Sequence, residues 1–177
     1  MVRILIGVGV IVAAVVGWIL ISPLFIDDVV DEDFPTASAA EGDVSSDADT
    51  AMAEAMPEDA PLAVLSGTFR DADLVHQGSG IATIYRQADG AHVLRFEDFR
   101  ATNGPDLFVW LTTADEPQSS AETSAAEWVN LGALKGNVGN QNYEIPADVN
   151  IADYNNVVIW CRAFSVLFAT ADFEAVE

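Results

Sequence analysis

No side chain between Ile4 and Ile26 carries a charge. A helix needs about 20 apolar residues to cross a hydrocarbon core. The run therefore predicts a single transmembrane helix over residues 1–26, and whatever folds after it must fold beside a membrane. A cleaved export signal would have a shorter apolar core that ends in small residues. Here the run ends on Trp18-Ile19-Leu20-Ile21, the small residues Ala37-Ser38-Ala39-Ala40 lie too far downstream, and no cysteine follows that could carry a lipid. Arg3 precedes the run, whereas Asp27, Asp28, Asp31, Glu32 and Asp33 follow it. Positive flanks stay on the cytoplasmic side. The expected arrangement is a single-pass cell-membrane protein with a cytoplasmic N-terminus and an extracytoplasmic C-terminal domain.

The segment 27–61 has no Lys or Arg and is rich in Asp, Glu, Ala, Ser and Pro. So little apolar surface cannot offset the entropy of ordering. The sequence predicts a disordered acidic linker here, a spacer between the anchor and a domain over residues 62–177. The formal net charge of the whole chain is −21. Phosphate backbones would be repelled, so nucleic acid is excluded as a partner.

From Leu65 onward short alternating runs stand between turn residues. Val75–Gln87 and His92–Phe99 flank Asp89-Gly90, a hairpin signal. Leu107, Val109 and Leu111 fall on one face of the next strand, with Phe108 and Trp110 on the other. Residues 114–126 read as a long polar loop. Further strands are expected at Trp128–Leu134, Asn140–Ile145, Asn156–Arg162 and Phe164–Phe173, with one helical turn over Asn150–Asn155. Without helical periodicity of useful length, this pattern predicts an all-β fold, an antiparallel β-sandwich.

The chemistry-bearing residues are few. The histidines are His76 and His92, and the chain has neither a serine-nucleophile elbow nor a zinc-protease helix. It cannot supply four Cys or His ligands for structural zinc. The carboxylates are abundant, but no spacing singles out a pair. Cys161 is the single cysteine, so no internal disulfide can staple the domain. Alternation places Val157, Ile159 and Cys161 on one face of their strand, and Val158, Trp160 and Arg162 on the other. A free cysteine in such a strand is ordinarily a small buried hydrophobe, yet an unpaired thiol outside the cytoplasm also invites oxidation or pairing between chains. Trp110, Trp128 and Trp160 read as packing residues.

A set of ordered pieces spans almost the whole domain. They are Gly67-Thr68-Phe69, His76 with Gly80, Phe96 with Phe99, Gly104-Pro105-Asp106-Leu107, Leu131 to Gly136, and Gly139, Gln141, Tyr143, Ile145 and Pro146. Tyr154, Val157, Trp160-Cys161, Phe164, Val166, Phe168 and Ala171 complete them. In this order and spacing the chain from Leu65 to Phe173 resembles the DM-thirteen domain, an electron-transfer module related to the DOMON β-sandwich. The resemblance implies a β-sandwich outside the cytoplasm. It also implies that Cys161 matches the family's characteristic cysteine, acting in redox as a bare thiol or by holding a group such as haem. No c-type attachment motif is present, so haem would be non-covalent, with Cys161 or His76 as axial ligand.

The expected function is a membrane-anchored electron-transfer or redox domain centred on Cys161, rather than a stand-alone enzyme. Its partner would be a redox protein or a small-molecule ligand. The alternative is a non-catalytic ligand-binding or structural module with Cys161 in the core.

Overall fold

The hairpin at Asp89-Gly90 forms as its sequence dictates, with Gly90 at φ 86°, and it joins the two longest strands of the domain. The computed structural model describes residues 26–35 and 60–176. The apolar run up to residue 25 and residues 36–59 of the acidic segment lie outside the described residues, so the expected membrane helix falls there too. Among the described residues no helix is long and apolar enough to cross a membrane.

Ten strands form the domain: β1 (Leu62–Thr68), β2 (Arg70–Asp71), β3 (Gly78–Arg86), β4 (His92–Ala101), β5 (Leu107–Thr112), β6 (Trp128–Ala133), β7 (Val138–Ile145), β8 (Asn156–Cys161), β9 (Val166–Asp172) and β10 (Glu174–Ala175). They make two five-stranded antiparallel sheets, ordered β10-β1-β3-β4-β7 and β2-β9-β8-β5-β6. The chain changes sheet at Phe69, between β1 and β2. The Phe69 ring meets Phe96 and Phe99 edge-on, at 4.9 and 5.0 Å. The all-β antiparallel sandwich expected from the alternation is the fold observed.

One face of each strand supplies the interior. Ala82 and Ile84 of β3, Leu94 and Phe96 of β4, Val109 and Leu111 of β5, and Val157, Ile159 and Cys161 of β8 pack together between the sheets. Period-two alternation with one buried face produces this arrangement. Gly80, at φ 107° in a β-bulge, lets the β3 backbone close on Phe99, where any Cβ would collide.

Expectations about one loop, two strand limits and the linker are corrected. Residues 114–126 contain a short helix, α1 (Ser120–Ala125). Ser119 caps its start: Ser119 Oγ accepts from the Glu122 N–H at 3.3 Å, and Glu122 Oε2 reaches back past the cap to accept from the Gln118 N–H at 2.7 Å. Phe164 lies in the turn before β9, not in that strand, and Val75–Gln77 belong to the loop before β3.

The last correction concerns the linker. Ile26 and the first residues of the acidic segment, to residue 35, lie as an extended strap along the outer edge of β7, parallel to it. Val30 N–H donates to Val138 O and Glu32 N–H to Asn140 O, both at 2.9 Å. An edge strand presents unpaired N–H and C=O groups, and the strap satisfies them. Composition argued for disorder because the segment is apolar-poor, but its acids meet basic residues of the domain. Glu32 pairs with Lys135 at 2.7 Å and Asp27 with Arg100 at 3.4 Å, while Arg95 donates to the carbonyls of Glu32 and Asp33.

Candidate functional site

Cys161 is the last residue of β8. Its cross-strand partners are Leu107 of β5 and Val166 of β9. It has no solvent exposure and packs in the apolar interior between the sheets. The turn that follows, residues 162–165, is exposed, and Ser165 sits in the left-handed region at φ 54°. Arg162 ties this turn to the β4–β5 loop. Its guanidinium donates to both carboxylate oxygens of Asp106, at 3.0 and 3.2 Å, and lies 4.3 Å from the Phe108 ring centroid.

His76 reaches the same end of the sandwich from the β2–β3 loop. Asp73 holds this loop in shape: its carboxylate accepts from the N–H groups of Val75 and His76, and its second oxygen lies 2.8 Å from His76 Nδ1. The bond to the imidazole, followed by the two backbone N–H groups, pulls the Asp73 carboxyl down to about 2. The His76 ring rests 4.3 Å from the ring of Phe168, a member of the core in which Cys161 is packed. Gly104 belongs to this contact, because a Cβ there would press on Leu107 and Phe168.

The structure thus brings Cys161 and His76 to one end of the sandwich, but not into one cavity. Two clefts at this end, of about 500 and 440 Å³, are lined by neither residue. Cys161 is enclosed by core side chains, and His76 Nδ1 is engaged by Asp73. A haem on the enclosed Cys161 does not fit this arrangement, and neither cleft opens onto His76 to seat one there. Among the described residues no group of three His, Cys, Asp or Glu could hold a metal ion.

Gln141 and Tyr143 of the recognised pattern have a structural task. Tyr143 Oη donates to Gln141 Oε1 at 2.6 Å and accepts from the Lys135 N–H, while Gln141 Nε2 donates to Gly136 O at 2.9 Å. This network shapes the β6–β7 loop, and burial pushes the Tyr143 hydroxyl's pKa up.

A feature absent from the sequence expectations lies on the outer face of the β8 sheet. Trp110 stacks on Trp128 at 4.2 Å with 9° between planes, and on Trp160 at 5.0 Å with 25°. Trp160 and Trp110 are buried, whereas Trp128 is half exposed. Alternation already put Trp110 and Trp160 on the faces of β5 and β8 away from the core. Only the β5–β8 and β5–β6 pairings, with a register shift between Val109 and Trp110, bring the three indoles into one column. Among the described residues the buried Trp110 Nε1–H has no hydrogen-bond partner. Trp160 is the neighbour of Cys161 in the chain, so the column starts behind the thiol on the opposite face of β8.

The comparisons with curated proteins and with solved structures returned no match. A family model does match, described as "Electron transfer DM13", over residues 68–173. Those residues run from the end of β1 through β9 and carry Cys161, His76 and all three indoles. The match covers more than half of the chain, which therefore belongs to the DM13 electron-transfer family.

Proposed function

We propose that this protein is a membrane-anchored, extracytoplasmic electron-transfer domain whose redox-active group is Cys161, used as a bare thiol. The observation that carries the reading is the position of the lone thiol. It is buried at the strand residue next to Trp160, from which stacked indoles lead to solvent at Trp128. Burial blocks thiol–disulfide exchange, because an attacking sulfur needs direct access. Single-electron exchange through neighbouring side chains needs no such access.

In the proposed step a one-electron-oxidising partner protein docks at Trp128. One electron leaves Cys161 through Trp160, Trp110 and Trp128, and reduces the partner. The thiol proton is released to water at the same strand end, leaving a sulfur radical that a second electron and a proton restore to the thiol. An indole that has lost an electron tends to lose its Nε1 proton too. At Trp110 no acceptor among the described residues faces that N–H, which favours transfer of the electron alone.

The test is flash photo-oxidation of the full-length protein by a ruthenium complex, with tryptophan-radical absorption as the readout. The radical should decay faster in the native protein than in Cys161→Ala, and Trp110→Phe should confine it to Trp128. A haem titration should give no saturable Soret shift. Equal decay in native and Cys161→Ala proteins, with only a loss of stability in the variant, would make Cys161 a core residue and favour a ligand-binding or structural module. That rival has one observation behind it, the full burial of the thiol among aliphatic side chains. A Soret shift lost in Cys161→Ala would instead assign a haem ligand.

A further inference from the structure

We infer that the end of the sandwich holding Cys161 is a seat on the lipid bilayer. The inference rests on the anchored reading above and deepens it. Leu74 is 96% exposed, Phe164 70% and Val75 69%, the three highest values among the exposed large apolar residues. They come from two segments far apart in sequence, the β2–β3 loop and the β8–β9 turn. Strand direction puts both at one end: Gly78 pairs with Ala101, Arg100 with Val138, and Cys161 with both Leu107 and Val166. Thr102 ties the loops of this end together, since its Oγ1 donates to Val75 O and accepts from the Gln77 N–H.

The strap begins at the same end. Ile26 O accepts from Asn103 Nδ2 at 2.9 Å, and Ile26 is itself 60% exposed. Ile26 is also the last residue of the uncharged run. On the anchored reading the uncharged run leads straight into the docked strap, and each residue between them can add at most about 3.6 Å of slack. The strap's hydrogen bonds to β7 then set which end of the domain faces the lipid. A small apolar patch suffices for a domain already tethered there, since partitioning becomes an intramolecular step. Of the carboxylates at this end, Asp27 pairs with Arg100 and Asp106 with Arg162, while Asp28, Asp71 and Asp73 add negative charge, so the seat is an apolar tip set among acids that must stay in the aqueous boundary. Seated in this way, the strand end bearing Cys161 faces the bilayer. Trp128, paired with Thr112 at the far end of β5, points toward the aqueous phase and a soluble partner.

The test uses the full-length chain in phosphatidylcholine bilayers, with an environment-sensitive fluorophore placed through Leu74→Cys, Phe164→Cys, Asp89→Cys or Val12→Cys. Buried Cys161 should stay unlabelled. Labels at positions 12, 74 and 164 should be quenched by nitroxide lipids and protected from aqueous iodide, whereas the label at 89, in the hairpin at the opposite end, should show the reverse. A quenched label at 12 with iodide-accessible labels at 74 and 164 would overturn the seat and leave the anchor standing. Labels at 74 and 164 shielded from both quenchers would mean that a second copy of the chain covers the patch, which also overturns the seat. A label at 12 open to iodide would overturn the anchor, and the seat with it.

Discussion

The interior between the sheets and the strap on β7 are held by different forces. Inside, Phe96, Ile84, Leu94, Leu111 and Ile159 are fully buried and contribute through apolar area. The strap buries little. It is held by backbone hydrogen bonds to an edge strand, by the Glu32–Lys135 and Asp27–Arg100 pairs, and by Phe34 set edge-on to Tyr85 at 4.9 Å. Exposed ion pairs are each worth little, about 0–1 kcal/mol. The interior should therefore set global stability, while the strap should detach without unfolding the domain.

The sharpest break in this comparison is Phe96→Ala. It removes a ring that touches Phe69, Phe99 and Tyr143 and should cost about 3–5 kcal/mol in a urea melt. Next is Cys161→Ser, which places a hydroxyl without an evident partner among aliphatic side chains and should cost about 1–3 kcal/mol. Cys161→Ala should cost less, since it leaves only a small void. If serine proves as mild as alanine, the strand end is open to water and the thiol is not in a dry core.

On the strap side, Gly139→Ala should act locally. Gly139 sits at φ 106°, and a Cβ there would collide with the Val30 carbonyl. Amide exchange should show Val30 and Glu32 losing protection while Phe96 keeps it. Loss of protection at Phe96 as well would mean that the strap and the interior form one cooperative unit. The smallest effect is expected from Glu32→Gln, below about 1 kcal/mol. Burial alone would raise the Glu32 carboxyl, but the Lys135 ammonium and the Asn142 N–H, with the Lys135 and Arg95 charges, hold it below its ordinary 4.5. A carboxyl lowered in the folded state contributes above its unfolded value, and that contribution is lost as pH falls through the folded value. Strap docking, followed by the amide resonances of Val138 and Asn140, should therefore weaken below pH 4.5 in the native protein. The Glu32→Gln variant should lack that dependence.

The alternation of residues predicted which side chains of β5 and β8 share a face, Cys161 with Val157 and Ile159, because successive residues of a strand point to opposite sides; which of the two faces is buried came from the packing of the sheets. The short helix α1 was missed: Ser119 and Glu122 have the spacing of a helix start, but the polar, small residues around them read as loop. The strap was not legible. Nothing in Asp27–Asp33 signals pairing, since edge hydrogen bonds involve backbone groups that every sequence carries, and the basic partners Lys135, Arg95 and Arg100 lie far along the chain. The candidate site divides in the same way. Trp160-Cys161 stood out in the sequence, whereas the burial of the thiol behind Leu107 and Val166 and the distance of His76 from any shared cavity did not.

By itself the sequence determined an all-β sandwich, the alternating faces of its strands, the single thiol and the DM13 family, because these follow from local periodicity and from residue types in a fixed order. The tertiary structure decided what register and edge pairing decide. It placed three indoles in one column across β5, β6 and β8, covered the edge of β7 with residues 26–35, and gathered Leu74, Val75, Phe164 and Ile26 at one end. Each depends on residues distant in sequence meeting at one point, and that information exists only once the strands have paired.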